Sequence, residues 1–393
     1  MEVLLVAAAI FLLMPATVLF VEVILALPRR KSPAADHPAR PRLAILMPAH
    51  NEALVIAESL LSVSPQLEQG DRLLVVADNC TDETSLIASA NGAEVIIRTD
   101  LVRRGKGYAL DYGIRHLALD APDTVIVIDA DCQVATGSIG LLARYCGLSN
   151  RPVQSLYLMN AGKDAGLRMR IAEFAWTIKN HVRPMGLLRL GLPCQLMGTG
   201  MAFPWACISA ASLATGQLVE DLQLGIELAQ AGSPPVFYPN AVVTSRFPTS
   251  AEGARGQRMR WEHGHLSVIL NEAPRLFWDS VKSMRLDTLA MALDLSVPPL
   301  SLLVLQTALL WLACGAFWLF TRKLLPLGLM SVAAALICIS VLASWSRFGR
   351  HIISFGSLAL ALIYPLGKIP IYFKFLLARQ REWVRSKRDG DLP

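Results

Sequence analysis

Apolar residues run almost unbroken near both ends of this chain, and between those ends short apolar runs alternate with amphipathic stretches. Residues 3–27 contain one charge, Glu22, and are long enough to cross a hydrocarbon core of ~30 Å at ~1.5 Å per residue. From residue 43 the period changes. Buried strands are predicted over 43–47, 73–78, 93–97 and 125–128, with helices between them over 83–90 and 106–117 and one capped by Asn51 and running to residue 61. Further on, the pattern predicts a strand at 153–158, an amphipathic helix over 167–182, a Gly-interrupted strand at 196–203 and a helix after Val219. Residues 298–320 and 324–345 are again long enough to cross a membrane. Residues 352–377 are apolar but broken by Pro365, Lys368, Pro370 and Lys374, which suits a short, re-entrant or interfacial piece. The alternation in the middle predicts an α/β domain with a mostly parallel sheet covered by helices.

Composition agrees with a chain that lies partly in lipid. Of 393 residues, 53% are hydrophobic and 17% charged, and the mean hydropathy is +0.44. The net charge of +6 comes from Lys and Arg crowded beside the apolar segments, as anionic headgroups favour. No basic stripe with interleaved aromatics is present, so no nucleic-acid partner is expected. Seven cysteines without a C-x-x-C pair suggest reduced thiols rather than a zinc site or a disulfide framework. The organisation expected is a membrane anchor at 1–27, a basic Pro-rich linker at 28–41 and a domain at 42–285. Membrane segments at 290–378 and a basic cytosolic tail at 379–393 would follow. Arg29, Arg30 and Lys31 after the first span put the domain in the cytosol by the positive-inside bias.

Functional groups gather at the carboxyl ends of the predicted strands, where open α/β sheets bind ligands. Asn51 and Glu52 follow the first strand, Asp78 and Asn79 end the second, and Asp129 and Asp131 end the fourth. A D-x-D at such an edge can hold a divalent cation against a phosphate-bearing ligand. Lys106, between two glycines at a helix start, can offer charge to phosphate beside free N–H groups. Asp221 also reads as a helix N-cap. The pair His263 and His265 invites a metal reading, but residues two apart point away from each other on a helix.

Six motifs carry a family resemblance: PAHNE (48–52), VVADNCTDET (75–84), GKGYALDYG (105–113), DAD (129–131), VED (219–221) and QRMRW (257–261). In order and spacing over 43–265 they resemble inverting family 2 glycosyltransferases. The likeness is strongest to the membrane-embedded branch of cellulose, hyaluronan, chitin-oligosaccharide and poly-N-acetylglucosamine synthases and ceramide glucosyltransferase. The resemblance implies a GT-A (Rossmann-like) cytosolic domain with N-terminal and C-terminal transmembrane helices, its nucleotide-binding half at 42–135 and its acceptor half at 150–265. It implies that Asp78 binds uracil with Glu52 and Ala49, that Lys106 and Asp129 complete the nucleotide-sugar site, and that Asp131 binds Mg²⁺ or Mn²⁺. Asp221, beside Glu220, would be the general base, and Gln257, Arg260 and Trp261 would meet diphosphate and acceptor. The partners implied are a UDP-sugar, a polysaccharide or lipid-linked acceptor, membrane lipid and polysaccharide-assembly proteins, at the inner (plasma) membrane as a multi-pass protein. Two departures bear on sugar and acceptor: His50 stands where the family has another aromatic, and Val219 where cellulose synthases have Thr. The competing readings are a single transfer to a lipid, as in ceramide glucosyltransferase, a non-catalytic sugar-nucleotide-binding membrane subunit, and a polytopic transporter.

Overall fold

The structure, a computed structural model, describes residues 1–28, 39–162, 164–248, 251–361 and 363–377. Most of the linker at 28–41 and the whole tail at 379–393 lie outside the described residues. Helix α1 (Glu2–Ala26) is followed by β1 (Leu43–Ala49), α2 (Ile56–Val63), β2 (Arg72–Asp78), α3 (Thr84–Ala90), β3 (Glu94–Arg98), α4 (Lys106–Leu117) and β4 (Thr124–Val127). Next come β5 (Gln133–Val134), α5 (Ser138–Ser149), β6 (Val153–Asn160) and α6 (Leu167–Thr177), which passes through a π-helical turn, Ile178–Val182, into α7 (Arg183–Arg189). Then follow β7 (Met201–Pro204), α8 (Trp205–Ser209), α9 (Glu220–Gln230), β8 (Val236–Arg246) and α10 (Ala251–Asn271). The last elements are α11 (Ala273–Ser283), α12 (Leu286–Ser296), α13 (Leu300–Thr321), α14 (Leu325–Ser344), α15 (Phe355–Leu360) and α16 (Ile369–Leu377).

Residues within 31–162 and 193–264 form one compact unit, and those within 1–30, 163–192 and 265–379 form another. In the first, one sheet has the order β3-β2-β1-β4-β7-β6-β8-β5. The pairs β1–β2, β1–β4, β2–β3 and β6–β8 are parallel, while β7 runs antiparallel to β4 and β6, and β5 to β8. The sheet is therefore mostly parallel, as expected. Its apolar runs explain the order: Leu46, Val76, Val127 and Phe203 are fully buried and share a core with Leu110 and Ile114 of α4. Each such side chain contributes about 1.5–3 kcal/mol by leaving water.

Three local expectations change. Asn51 does not cap a helix, because α2 starts at Ile56; Asn51 instead adopts φ 54° and its Oδ1 accepts from the Thr81 backbone at 2.7 Å. Asn serves both jobs well, so sequence alone does not separate them. The predicted strand at 196–203 pairs only as Met201–Pro204, since Gly198 and Gly200 take φ of 91° and 65°. The helix predicted to end at 182 continues to Arg189 after its π turn.

Among the described residues, the other unit holds three helices long and apolar enough to cross a membrane: Glu2–Ala26, Leu300–Thr321 and Leu325–Gly349. The segment after them is broken, as expected, into α15, a 3₁₀ stretch Tyr364–Lys368 and α16. Glu22 of α1 is buried and accepts from Arg183 Nε at 2.7 Å, and Arg183 also pairs with the buried Asp294 of α12. A β-carbon on Gly186 would sit 2.0 Å from the Glu22 carbonyl oxygen, so α7 meets α1 backbone to backbone.

Candidate active site

The acidic strand end is built by four elements. After β4 the chain turns through Asp129-Ala130-Asp131, with the Cys132 amide donating to the Asp129 carbonyl at 3.0 Å. The turn is held from two sides: the Asp129 amide donates to Thr199 Oγ1 at 3.0 Å, and Ser59 Oγ of α2 donates to the Ala130 carbonyl at 2.7 Å. Lys106, the first residue of α4, forms an ion pair with Asp129, donates to the Gly198 carbonyl at 2.7 Å and lies 3.8 Å from Glu220 Oε1. Gly198 is the hub. A β-carbon there would lie 3.5 Å from Asp221 Oδ2 and 3.7 Å from Lys106 Nζ, so the general-base candidate and the lysine flank one residue.

Electrostatics follow from crowding. Burial raises the Asp129 pKa, opposed by the Lys106 charge. Burial works against the Lys106 ammonium, yet Asp129, Glu220 and Asp221 outweigh it and push its pKa up. Glu220 is pushed up to about 7 by burial and by the neighbouring Asp221 charge, against the pull of Lys106. Asp221 is no N-cap: that place belongs to Val219, and Asp221 stands in the first turn of α9.

At the same sheet edge, two strand spacings of about 4.8 Å away, β2 ends in Asp78. Its Oδ1 accepts from Arg98 Nη1 at 2.6 Å and Asn79 Nδ2 at 3.0 Å, and its carbonyl lies 2.6 Å from His50 Nδ1. Ala49 is buried at the end of β1, its carbonyl taking the Cys80 thiol at 3.4 Å, and the Glu52 amide donates to Thr84 Oγ1 at 2.8 Å. Gln257, Arg260 and Trp261 fall on α10. With Gly264 they share one helix face at i, i+3, i+4 and i+7. A β-carbon on Gly264 would sit 2.6 Å from Val219 Cγ1, so that face leads to the residue before Glu220 and Asp221.

Among the described residues, ligand atoms of Asp129, Asp131 and Cys132 lie within 4.8 Å of one another. Burial, reinforced by the two aspartates, lifts the Cys132 thiol well above its ordinary range, so it keeps its proton. Two carboxylates without a thiolate suit a hard, oxygen-seeking cation such as Mg²⁺ or Mn²⁺.

Residues 41–264 match the family model described as glycosyltransferase like family 2, which is more than half of the chain. The chain belongs to that family.

Among curated proteins, this family 2 chain is similar to the probable glycosyltransferase YdaM of Bacillus subtilis, 27% identical over 254 residues, covering 60% of this chain and 58% of that protein. It is 37% identical over 95 residues to glucosyl-3-phosphoglycerate synthase of Mycobacterium tuberculosis, covering 23% of this chain and 28% of the synthase. The chain thus spans less than two thirds of either relative. Among solved structures, the mannosyltransferase PcManGT from Pyrobaculum calidifontis, in complex with GDP-Man and Mn²⁺, superposes with a TM-score of 0.54 at 17% identity. That likeness, covering 93% of this chain and 98% of PcManGT, is one of fold.

Sequence reasoning about this family 2 chain missed Arg98 and Thr199. Arg98 is a charge at the end of an otherwise apolar strand, the one signal that could have found it; Thr199 carries none. The raised Glu220 gives a pH prediction for the unliganded protein. Its pKa is about 7 folded against an ordinary 4.5. The contribution to stability is therefore full below about pH 4.5 and lost as the pH rises through 7. Thermal unfolding in detergent is expected to weaken between pH 6 and 8, and E220Q to flatten that slope; an unaltered slope in the variant would show that Glu220 is ionised throughout.

Proposed function

We propose that this chain is a membrane-bound, metal-dependent inverting glycosyltransferase that moves a hexose from a UDP-sugar to a glycan or lipid-linked acceptor. The observation that carries the reading is Gly198, flanked by the Asp221 carboxylate and the Lys106 ammonium that pairs with the D-x-D. Asp78, with Ala49 and Glu52, holds the uridine at the rim, and Lys106 and Asp129 meet the donor. Asp131 would hold the cation, which supplies charge neutralisation for the departing diphosphate. Asp221 takes the proton from the acceptor hydroxyl, whose oxygen attacks the anomeric carbon from the face opposite the diphosphate. Glu220 holds a proton beside that base. Gln257, Arg260 and Trp261 contact diphosphate and acceptor, a guanidinium against phosphate oxygens and an indole against a sugar ring.

Three crossing-length helices support a multi-pass protein of the inner membrane with its catalytic domain in the cytosol. So does α11, with exposed Trp278 and Val281, and Met284 just after it, beside exposed Arg275 and Lys282, the make-up of a helix lying in a headgroup layer. The acceptor would belong to exopolysaccharide or cell-envelope synthesis, with assembly proteins as partners. A second reading, addition of one sugar to a lipid, is favoured by the three crossing-length helices among the described residues, which by themselves leave little room for a glycan pore.

The test is UDP release by the purified full chain in detergent across a panel of UDP-sugars, with and without Mn²⁺. Ion-dependent release from one donor is expected, and D131A is expected to lose it by about 100-fold. Release that ignores the ion, or none from any donor, would remove the assignment, and product length would separate single from repeated addition.

A further inference from the structure

We infer that Arg98 sets the nucleobase specificity of the donor site, by holding Asp78 as a fixed hydrogen-bond acceptor for a base with a ring N–H. The inference rests on the reading of Asp78 as the group that meets the base. Uracil N3–H and guanine N1–H donate to an ionised carboxylate, whereas cytosine N3 and adenine N1 are acceptors and would oppose it lone pair to lone pair. The site therefore takes uridine or guanosine diphosphates and rejects the cytidine and adenosine ones.

The geometry is specific. The side chains of Arg98 and Asp78 are each only 9% exposed and meet at 2.6 Å. Asn79, at φ 52°, donates to the same Asp78 oxygen at 3.0 Å and clasps the next loop through both its amide atoms, Nδ2 to the Asp100 carbonyl at 3.1 Å and Oδ1 from the Asp100 amide at 2.8 Å. Arg98 has a second hold on that loop: its Nη2 donates to the Arg103 carbonyl at 2.7 Å and lies 3.3 Å from Asp100 Oδ2. Its guanidinium also stands 5.5 Å from the Tyr108 ring. One residue therefore fixes both the base-facing acid and the loop that delivers Lys106. Arg98 is a positioning residue, acting through Asp78.

The charge balance at Asp78 is narrow. Burial raises its pKa, and the opposing charges come from Arg98 on β3 and His50 at the end of β1, with Asn79 adding a hydrogen bond. Without Arg98 the buried acid takes up a proton more readily, and the resulting O–H can donate to cytosine N3. Specificity then becomes a function of pH.

The experiment is calorimetric binding of UDP, GDP, CDP and ADP, with Mn²⁺, to the full chain in detergent at pH 6 and pH 8. The wild type is expected to prefer UDP or GDP over CDP and ADP by about 10- to 100-fold at both pH values, the effect of one buried hydrogen bond made or opposed. R98Q is expected to lose most of that preference at pH 6 and regain part of it at pH 8, and R98K to keep it. D78N, which keeps Arg98 but presents an amide, should lose the preference equally at both pH values, and it serves where R98Q folds poorly. A folded R98Q or D78N with wild-type discrimination at both pH values overturns the inference while leaving nucleotide binding intact. A wild type that binds none of the four overturns the donor-site reading and this inference with it.

Discussion

Replacing Asp221 with Asn is expected to stop sugar transfer while leaving UDP binding within about twofold of wild type, because general-base catalysis accounts for ~10²–10⁴-fold of a rate. Asn keeps the shape of the side chain and its place in the first turn of α9, so Gly198 still packs beside it and Lys106 still reaches Asp129. What is lost is the capacity to accept a proton. The attacking hydroxyl then stays protonated, and Glu220 is a poor substitute, because burial keeps it partly protonated near neutral pH against the pull of the Lys106 ammonium. Calorimetric UDP titration and a radiolabelled-sugar transfer assay on the same preparation separate the two effects. Full turnover by D221N would remove the base assignment; loss of UDP binding would show that Asp221 holds the donor.

The second large effect is on stability. Arg183→Ala is expected to destabilise the protein by about 3–5 kcal/mol, because it strands two buried carboxylates. Glu22, Arg183 and Asp294 are 3%, 5% and 4% exposed, so water cannot take over the lost partner. The converse experiment is sharper. A triple replacement, E22Q with R183M and D294N, removes every charge and should recover most of the loss, since a buried ion cluster gains little over well-packed neutral groups. Thermal unfolding in one detergent compares the three proteins. An R183A protein as stable as wild type would mean that the carboxylates find other partners.

Much of the sheet-bearing unit was legible because local pattern and position coincide. The runs at 43–47, 73–78 and 125–128 are apolar, with Glu52, Asp78 and Asp129 at or just beyond their ends, and β1, β2 and β4 lie side by side in parallel, so those acids reach one edge by geometry alone. Helix α4 was readable to the residue, since Gly105 precedes it and its apolar positions recur with the helical period. What the sequence hid was pairing across distance. Nothing in the order of residues says that Lys106 turns to Asp129 and Gly198, or that Arg98 closes on Asp78. Residues 163–192 were read as part of the domain at 42–285, yet they group with the long apolar helices. An amphipathic pattern reports that one face is covered and is silent on what covers it. Glu22, the lone charge in its apolar helix, did announce a partner, but not which of many basic residues would supply it.

The cluster around Arg183 also has a bearing on biogenesis. Glu22 is synthesised 161 residues ahead of Arg183. At translation speeds of ~5–20 residues per second that is roughly 8–32 s, during which the carboxylate waits without its guanidinium. The helix Glu2–Ala26 is therefore made well before the guanidinium that its buried acid meets, and that contact can close only once Arg183 has been translated.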